Sequence, residues 1–235
     1  MCLRNLTLIS ILFFLASCVP TRYVVPLTKK EKSISVSFGG PVIEERGYIT
    51  PAPFLSFTYA EGKTKSLTYF GGLQLSSLFD GFFAVEVGAL KEWKWWSKKK
   101  IGFTTNIVAN AMTDGIDGGF TFFPQFDANL YWHFMSDPHY FCDCPGDPKW
   151  NMFLFTGFQS HYNVVSDFDL KTPFNSDFLF SPHLGLSIGP GASRLAAEVK
   201  WIQPWVDNTL HNPQIWNPFM ETGTFGGFIS FYHNF

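Results

Sequence analysis

Thr224-Phe225-Gly226-Gly227-Phe228-Ile229-Ser230-Phe231-Tyr232-His233-Asn234-Phe235, the last stretch of the chain, decides how the rest is read. Phe225, Ile229, Phe231, His233 and Phe235 all sit at odd positions, so an extended backbone places them on one face. A strand with rings along one side needs an apolar medium to meet them. Its neighbours in the sheet must then carry the same period.

They do. Ser33 to Gly40 alternates Ile34, Val36 and Phe38 with Ser33, Ser35 and Ser37. Phe54 to Ala60 and Ser66 to Leu75 follow across a Glu61-Gly62-Lys63 turn, and Gly81 to Leu90 sets Phe83, Val85, Val87 and Ala89 against Ala84, Glu86 and Gly88. Ile101 to Ala111 and Gln125 to Phe134 repeat the pattern, the second with Phe126, Ala128, Leu130, Trp132 and Phe134 on one face. Asn151 to Ser160 is apolar on both faces. Ser181 to Ile188 and Arg194 to Trp201 complete the series before the closing strand. Alternation of this kind predicts half-buried strands, and no long window has helical periodicity, so almost no helix is expected. The expected fold is all-β, a transmembrane antiparallel β-barrel of about ten strands within limits of 8 to 12. Expected outer loops are 41–50, 76–80, 112–118, 161–177 and 204–221, with long inner turns at 91–100 and 135–149.

The terminal Phe235 and the alternating rings before it resemble the closing strand of bacterial outer-membrane β-barrels. That resemblance implies that Phe231 and Phe235 form the signal read by the barrel assembly machinery. It also implies a lipid bilayer around the outer faces. An even strand count returns the C-terminus to the periplasmic side.

The N-terminus carries an address. Arg4 and the apolar run Leu6 to Leu15 read as a secretory signal, too short to span a bilayer. Leu15-Ala16-Ser17-Cys18 resembles the bacterial lipobox, which implies cleavage after residue 17 and lipidation, palmitate included, at Cys18. Val19 is not Asp and no acidic pair follows, so the resemblance implies the periplasmic leaflet of the outer membrane. The expected organisation is a signal peptide over 1–17, a lipidated tether over 18–30 and the barrel over 31–235. Two prolines and no alternation in Val19 to Lys30 support the tether.

Composition agrees. Of all residues 19% are aromatic, including 28 Phe, and only 15% are charged. A lipid-facing belt with two interfacial girdles uses rings in that abundance. The net charge is −2 with no basic stripe, which argues against nucleic acid as a partner.

Alternation alone is shared with a tethered soluble barrel of lipocalin type, which would turn its apolar faces inward and bind a small apolar ligand. If instead the apolar faces meet lipid, Glu86, Asp127, His133, His183, Arg194, Glu198 and Lys200 point into the lumen. Their simplest role there is cross-strand pairing that fills a small interior. A narrow pore tuned by those charges is the functional counterpart. A hydrolase acting on lipid or peptide would use His133 or His183 as base beside Asp127 or Glu198, but the His-x-Ser-Asn element of lipid A 3-O-deacylases is absent. The chain is read as non-enzymatic, without cofactor, in company with an outer-membrane protein partner at most.

In Lys91 to Lys100, Trp93, Trp95 and Trp96 alternate with lysines as interfacial anchors do. Trp201, Trp205, Trp216 and Phe219 read as girdle residues, with a carbohydrate platform as a second use. His139, Cys142, Asp143, Cys144 and Asp147 crowd one loop. Cys-x-Cys is shorter than a zinc arm and no second pair exists, so a disulfide or two thiols is expected there and no metal.

Overall fold

The computed structural model describes residues 20–45, 48–51, 54–79, 81–96, 100–115, 118–135, 150–162, 164–166, 178–207 and 222–235. The signal region, Cys18, the cysteine loop, Trp216 and Phe219 lie outside them. The strands are β1 (Lys32–Glu45), β2 (Tyr48–Pro51), β3 (Phe54–Thr64), β4 (Leu67–Gln74), β5 (Phe82–Trp96), β6 (Ile101–Asp114), β7 (Phe120–Met135), β8 (Trp150–Tyr162), β9 (Val165–Ser166), β10 (Phe178–Pro190), β11 (Ser193–Asp207) and β12 (Thr222–Asn234). One helical turn, Leu75–Phe79, is the only helix among the described residues.

All pairings are antiparallel, and each long strand pairs with the next one along the chain. The ring closes where β1 meets β12, from Ser33 opposite Asn234 to Pro41 opposite Gly226. Ten strands make that ring; β2 extends β1 as a hairpin at one rim and β9 adds a short pairing to β7. Closure leaves no edge, so every backbone group along the wall has a neighbour to bond.

The direction of the side chains decides between the two barrels that alternation allows. Val36, Phe38, Phe57, Tyr69, Phe83, Val87, Ile107, Leu130, Leu184, Val199 and Ile229 are exposed on the outside. Ser33, Ser35, Ser37, Ser56, Thr58, Thr104, Asn106, Asn129, Gln159 and Ser230 are buried inside. An apolar belt around a polar interior is stable only in lipid, so the soluble barrel with an apolar cavity is overturned. Exposed rings stand at both rims: Trp93, Trp132, Trp150, Phe231 and Phe235 where β1 begins and β12 ends, and Phe79, Phe83, Phe120, Tyr162 and Phe225 at the other.

Two sequence expectations need correction. Residues 91–96 are strand rather than turn, because Lys91, Glu92 and Trp93 pair with Thr105, Thr104 and Phe103, and Trp96 with Ile101. Trp93 lies on the outer face and donates from its indole nitrogen to Thr105 Oγ1 at 3.0 Å; Trp95 and Trp96 share that strand. The second correction concerns the tether.

Candidate functional site: a lumen occupied by the N-terminal segment

Residues 20–27 run inside the barrel instead of leading away from it. Thr21, Arg22, Tyr23, Val24 and Leu27 are buried. The chain passes from the lumen into β1 at the rim where β12 ends; there Lys30 N–H donates to Gly62 O, Gly62 N–H to Glu31 O, and Lys32 N–H to Phe235 O. A side chain on residue 62 would meet Thr28 O at 1.9 Å, so the close crossing requires glycine.

The segment is extended, so its backbone groups need partners from the wall. The wall supplies them. Thr68 Oγ1 accepts from Leu27 N–H at 2.9 Å, Thr104 Oγ1 donates to Val24 O at 2.8 Å, and Asn106 Nδ2 donates to Tyr23 O at 3.1 Å. Tyr232 OH donates to Arg22 O at 2.6 Å. Glu198 takes both Thr21 donors, N–H at 2.9 Å and Oγ1 at 2.6 Å.

Arg22 is the best-held side chain of the segment. Its Nη2 donates to Glu86 Oε2 at 2.7 Å, its Nε lies against Oε1, and its Nη1 donates to Ser56 Oγ at 2.8 Å. Phe54 places its ring 5.7 Å from the guanidinium carbon. Two carboxylate oxygens, a hydroxyl and an aromatic face surround the buried guanidinium.

Apolar contacts complete the seating. Tyr23 and Leu27 pack with Ala60, Phe70, Leu90, Val108, Ala196 and Tyr232, and Val24 packs with Tyr131, Phe153 and Phe155. Three of these rings lie flat because the residue opposite them is glycine. Gly185 faces Phe155, Gly102 faces Tyr131 and Gly88 faces Phe70 across the sheet. A Cβ at Gly185 would sit 2.2 Å from Phe155 Cζ. Gly185→Val therefore lifts that ring off the wall into the space of Val24. The expected result is a loss of about 1–3 kcal/mol, read as a lower temperature for the loss of the compact gel band, with faster proteolysis of residues 20–27.

All seven lumen residues named from the sequence sit at inward positions, yet they do not form one cluster. Glu198, Lys200 and His183 share one wall: Lys200 Nζ is 3.4 Å from Glu198 Oε1, and His183 Nδ1 is 3.9 Å from it. Lys200 also donates to Gln159 Oε1 at 2.6 Å, and His183 Nε2 pairs with Asn129 Oδ1 at 2.7 Å. Asp127, across from Gln159, accepts from Gln125 at 2.9 Å and from Asn106 at 3.3 Å. Glu86 stands with Arg22. At the terminal rim His133 pairs with Asn151 at 2.9 Å, and Arg194 stacks 4.6 Å from the Tyr232 ring centroid.

Of the His–carboxylate pairs the sequence offered, His183 and Glu198 are adjacent, with Nδ1 3.9 Å from Oε1, and His133 and Asp127 are apart. His133 is six positions from Asp127 along β7, roughly 20 Å at strand rise. Both oxygens of Glu198 are taken by Thr21. Among the described residues no group of three or more His, Cys, Asp or Glu could hold a metal.

The sequence did carry a signal for the segment, which reading by alternation passed over. Phe70, Leu90, Val108, Tyr131, Phe153 and Phe155 are large apolar residues at inward positions of otherwise polar faces. Something apolar had to lie against them, and Tyr23-Val24-Val25-Pro26-Leu27 is the stretch that does.

The chain is a closed antiparallel β-barrel of transmembrane type. No family model and no curated protein matches its sequence. Solved structures to which it is similar include the outer membrane enzyme PagL, at 11% identity and a TM-score of 0.37 over 85% of this chain and 97% of that one. The N-terminal β-barrel domain of Pseudomonas aeruginosa OprF matches at 10% and 0.33 over 89% and 100%. An outer membrane channel from Pseudomonas putida F1 matches at 9% and 0.37 over 92% and 99%. The assignment rests on the apolar outside and polar inside of the closed sheet.

Proposed function

We propose that this protein is a lipid-anchored, non-enzymatic outer-membrane barrel whose polar lumen is a narrow pore closed by the protein's own residues 20–27. One observation carries the reading. The segment is bound almost wholly by side chains that would line a water-filled passage if it left. Thr68, Glu86, Thr104, Asn106 and Glu198 are polar inward groups that each bond the segment directly. The lipobox-like Leu15-Ala16-Ser17-Cys18 supports an acylated Cys18, and the terminal Phe235 supports delivery by the barrel assembly machinery. A purely structural or accessory role is the second reading. It is favoured by the cross-strand ties among Glu198, Lys200, His183 and Gln159, which stiffen the wall whether or not anything passes.

The test uses the mature chain with Cys18→Ala. It is expected to need detergent, to shift in gel mobility on boiling, and to be electrically silent in a planar bilayer. Thr21→Val/Arg22→Gln, folded by the same mobility criterion, is expected to conduct. Silence of that variant would remove the pore and leave the structural role. Solubility without detergent would remove the membrane barrel itself.

A further inference from the structure

The two ends of the barrel carry opposite charge. At the rim where β2 folds back on β1 and β11 ends, the charged residues among those described are Glu44, Glu45, Asp114 and Asp207, with no Lys or Arg. At the rim where β1 begins and β12 ends, Lys29, Lys30, Lys32, Lys63, Lys65 and Lys100 are exposed and Lys91 is half-buried. They occupy one arc, from the approach to β1 across the β3–β4 turn and the outward face of β5 to the approach to β6. Seven lysines stand there against Glu31, Glu61 and Glu92, an excess of four positive charges among the described side chains.

The three carboxylates are engaged in ways that leave most of the ammonium groups unmatched. Glu31 accepts from Thr28 N–H and from Asn234 Nδ2, each at 2.7 Å, and Glu92 accepts from Tyr131 OH. Glu61 bonds Lys63 at 2.7 Å, and Lys91 donates to Ser66 Oγ at 3.0 Å. Lys29, Lys30, Lys32, Lys65 and Lys100 make no ion pair with a described residue. Lys30 and Lys100 also hold left-handed backbone, φ 70° and 56°, which glycine adopts without strain and a long side chain does not. Glycine would suit both turns; each carries an ammonium instead.

The belt above the arc selects among anionic partners. Val36 on β1, Tyr59 on β3, Tyr69 on β4 and Trp93 on β5 are exposed on the outer face. Lys32 and Lys63 continue the outward faces of β1 and β3 to the rim. A lysine in that place lays its methylenes along the belt and sets its ammonium at the depth of the headgroups, where phosphate is the counter-ion at hand. A zwitterionic headgroup brings its own cation, so only a headgroup of net negative charge offsets the excess. We propose that this arc of the rim, from β1 to β6, binds anionic phospholipid headgroups.

The experiment reconstitutes the protein in bilayers of phosphatidylcholine and phosphatidylglycerol in equal amounts, extracts it with its nearest lipids and reads their ratio by mass spectrometry. Phosphatidylglycerol is expected to be enriched about threefold or more over the bulk ratio at low salt. The enrichment is expected to fall toward one at about 1 M salt, where the screening length is ~3 Å. Lys29→Gln/Lys30→Gln/Lys32→Gln/Lys65→Gln/Lys100→Gln, folded by its boiling-sensitive gel mobility, is expected to lose the enrichment, and the same five positions changed to Arg are expected to keep it. Should the Gln set fail to fold, the salt series on the unaltered protein decides.

No enrichment in the unaltered protein, enrichment that survives the Gln set, or enrichment indifferent to salt overturns the assignment. Capture of polyglutamate from solution in place of phosphatidylglycerol also overturns it and gives the arc to an acidic soluble partner. None of these results turns on whether the lumen conducts.

Discussion

Arg22→Ala is expected to destabilise the closed barrel by about 3–5 kcal/mol, the cost of leaving one partner of a buried ion pair behind. Glu86 is held by Arg22 and, at 3.2 Å, by Thr58 Oγ1, and it has almost no contact with solvent. The carboxylate has nowhere to turn inside the wall. Arg22→Lys should recover only part of the loss, because one ammonium cannot reproduce the two-point contact with Glu86 together with the Ser56 bond and the Phe54 face. Arg22→Ala/Glu86→Ala should recover most of it. The measurement is a double-mutant cycle on unfolding of the Cys18→Ala form in lipid vesicles, where the segment is seated. A cycle in which the two single losses simply add would mean that Arg22 and Glu86 do not act on each other.

Ile107→Arg is expected to cost about 2–4 kcal/mol in a bilayer. Ile107 is 67% exposed, near the middle of β6, facing outward between Ala89 and Phe126 of the adjoining strands. Were that face in water, so exposed a substitution would stay within about 0.5 kcal/mol of neutral. The two media thus give opposite results at one position. Denaturant unfolding in vesicles, with the protein's refolding yield as control, reads the difference. A neutral Ile107→Arg would put the apolar belt in water and undo the membrane assignment.

Much of the wall was legible because the period of a strand is two and lipid demands strict sorting of its faces. Leu130 outward and Asn129 inward follow from parity alone once one of them is placed. Parity also put Glu86, Asp127, His183, Glu198 and Lys200 inside. It could not pair them, since which inward groups meet depends on register and shear, properties of the closed sheet and not of any one strand. His161, Gln125, Asn110 and Gln159 were passed over for the same reason. The position of residues 20–27 inside the barrel was not legible, on different grounds. Prolines and missing alternation exclude a strand, but they do not exclude an extended segment bonded to side chains. Pro26 leaves no donor unmet on the way in, and the segment's only basic residue, Arg22, meets a carboxylate that β5 alone would have left bare.

The inner segment draws partners from β3, β4, β5 and β6 near one end of the chain and from β11 and β12 at the other, across separations of 34 to 211 residues. Those strands are brought together only by the β1 to β12 seam. A chain whose residues 21–27 touch both margins of an unrolled sheet shortens the search by which those margins meet. The leading end then acts as a mandrel. Strand pairing can proceed without it, but the curl that carries the last strand to the first is slowed when it is missing, and the unsealed intermediate lives longer with its margins bare.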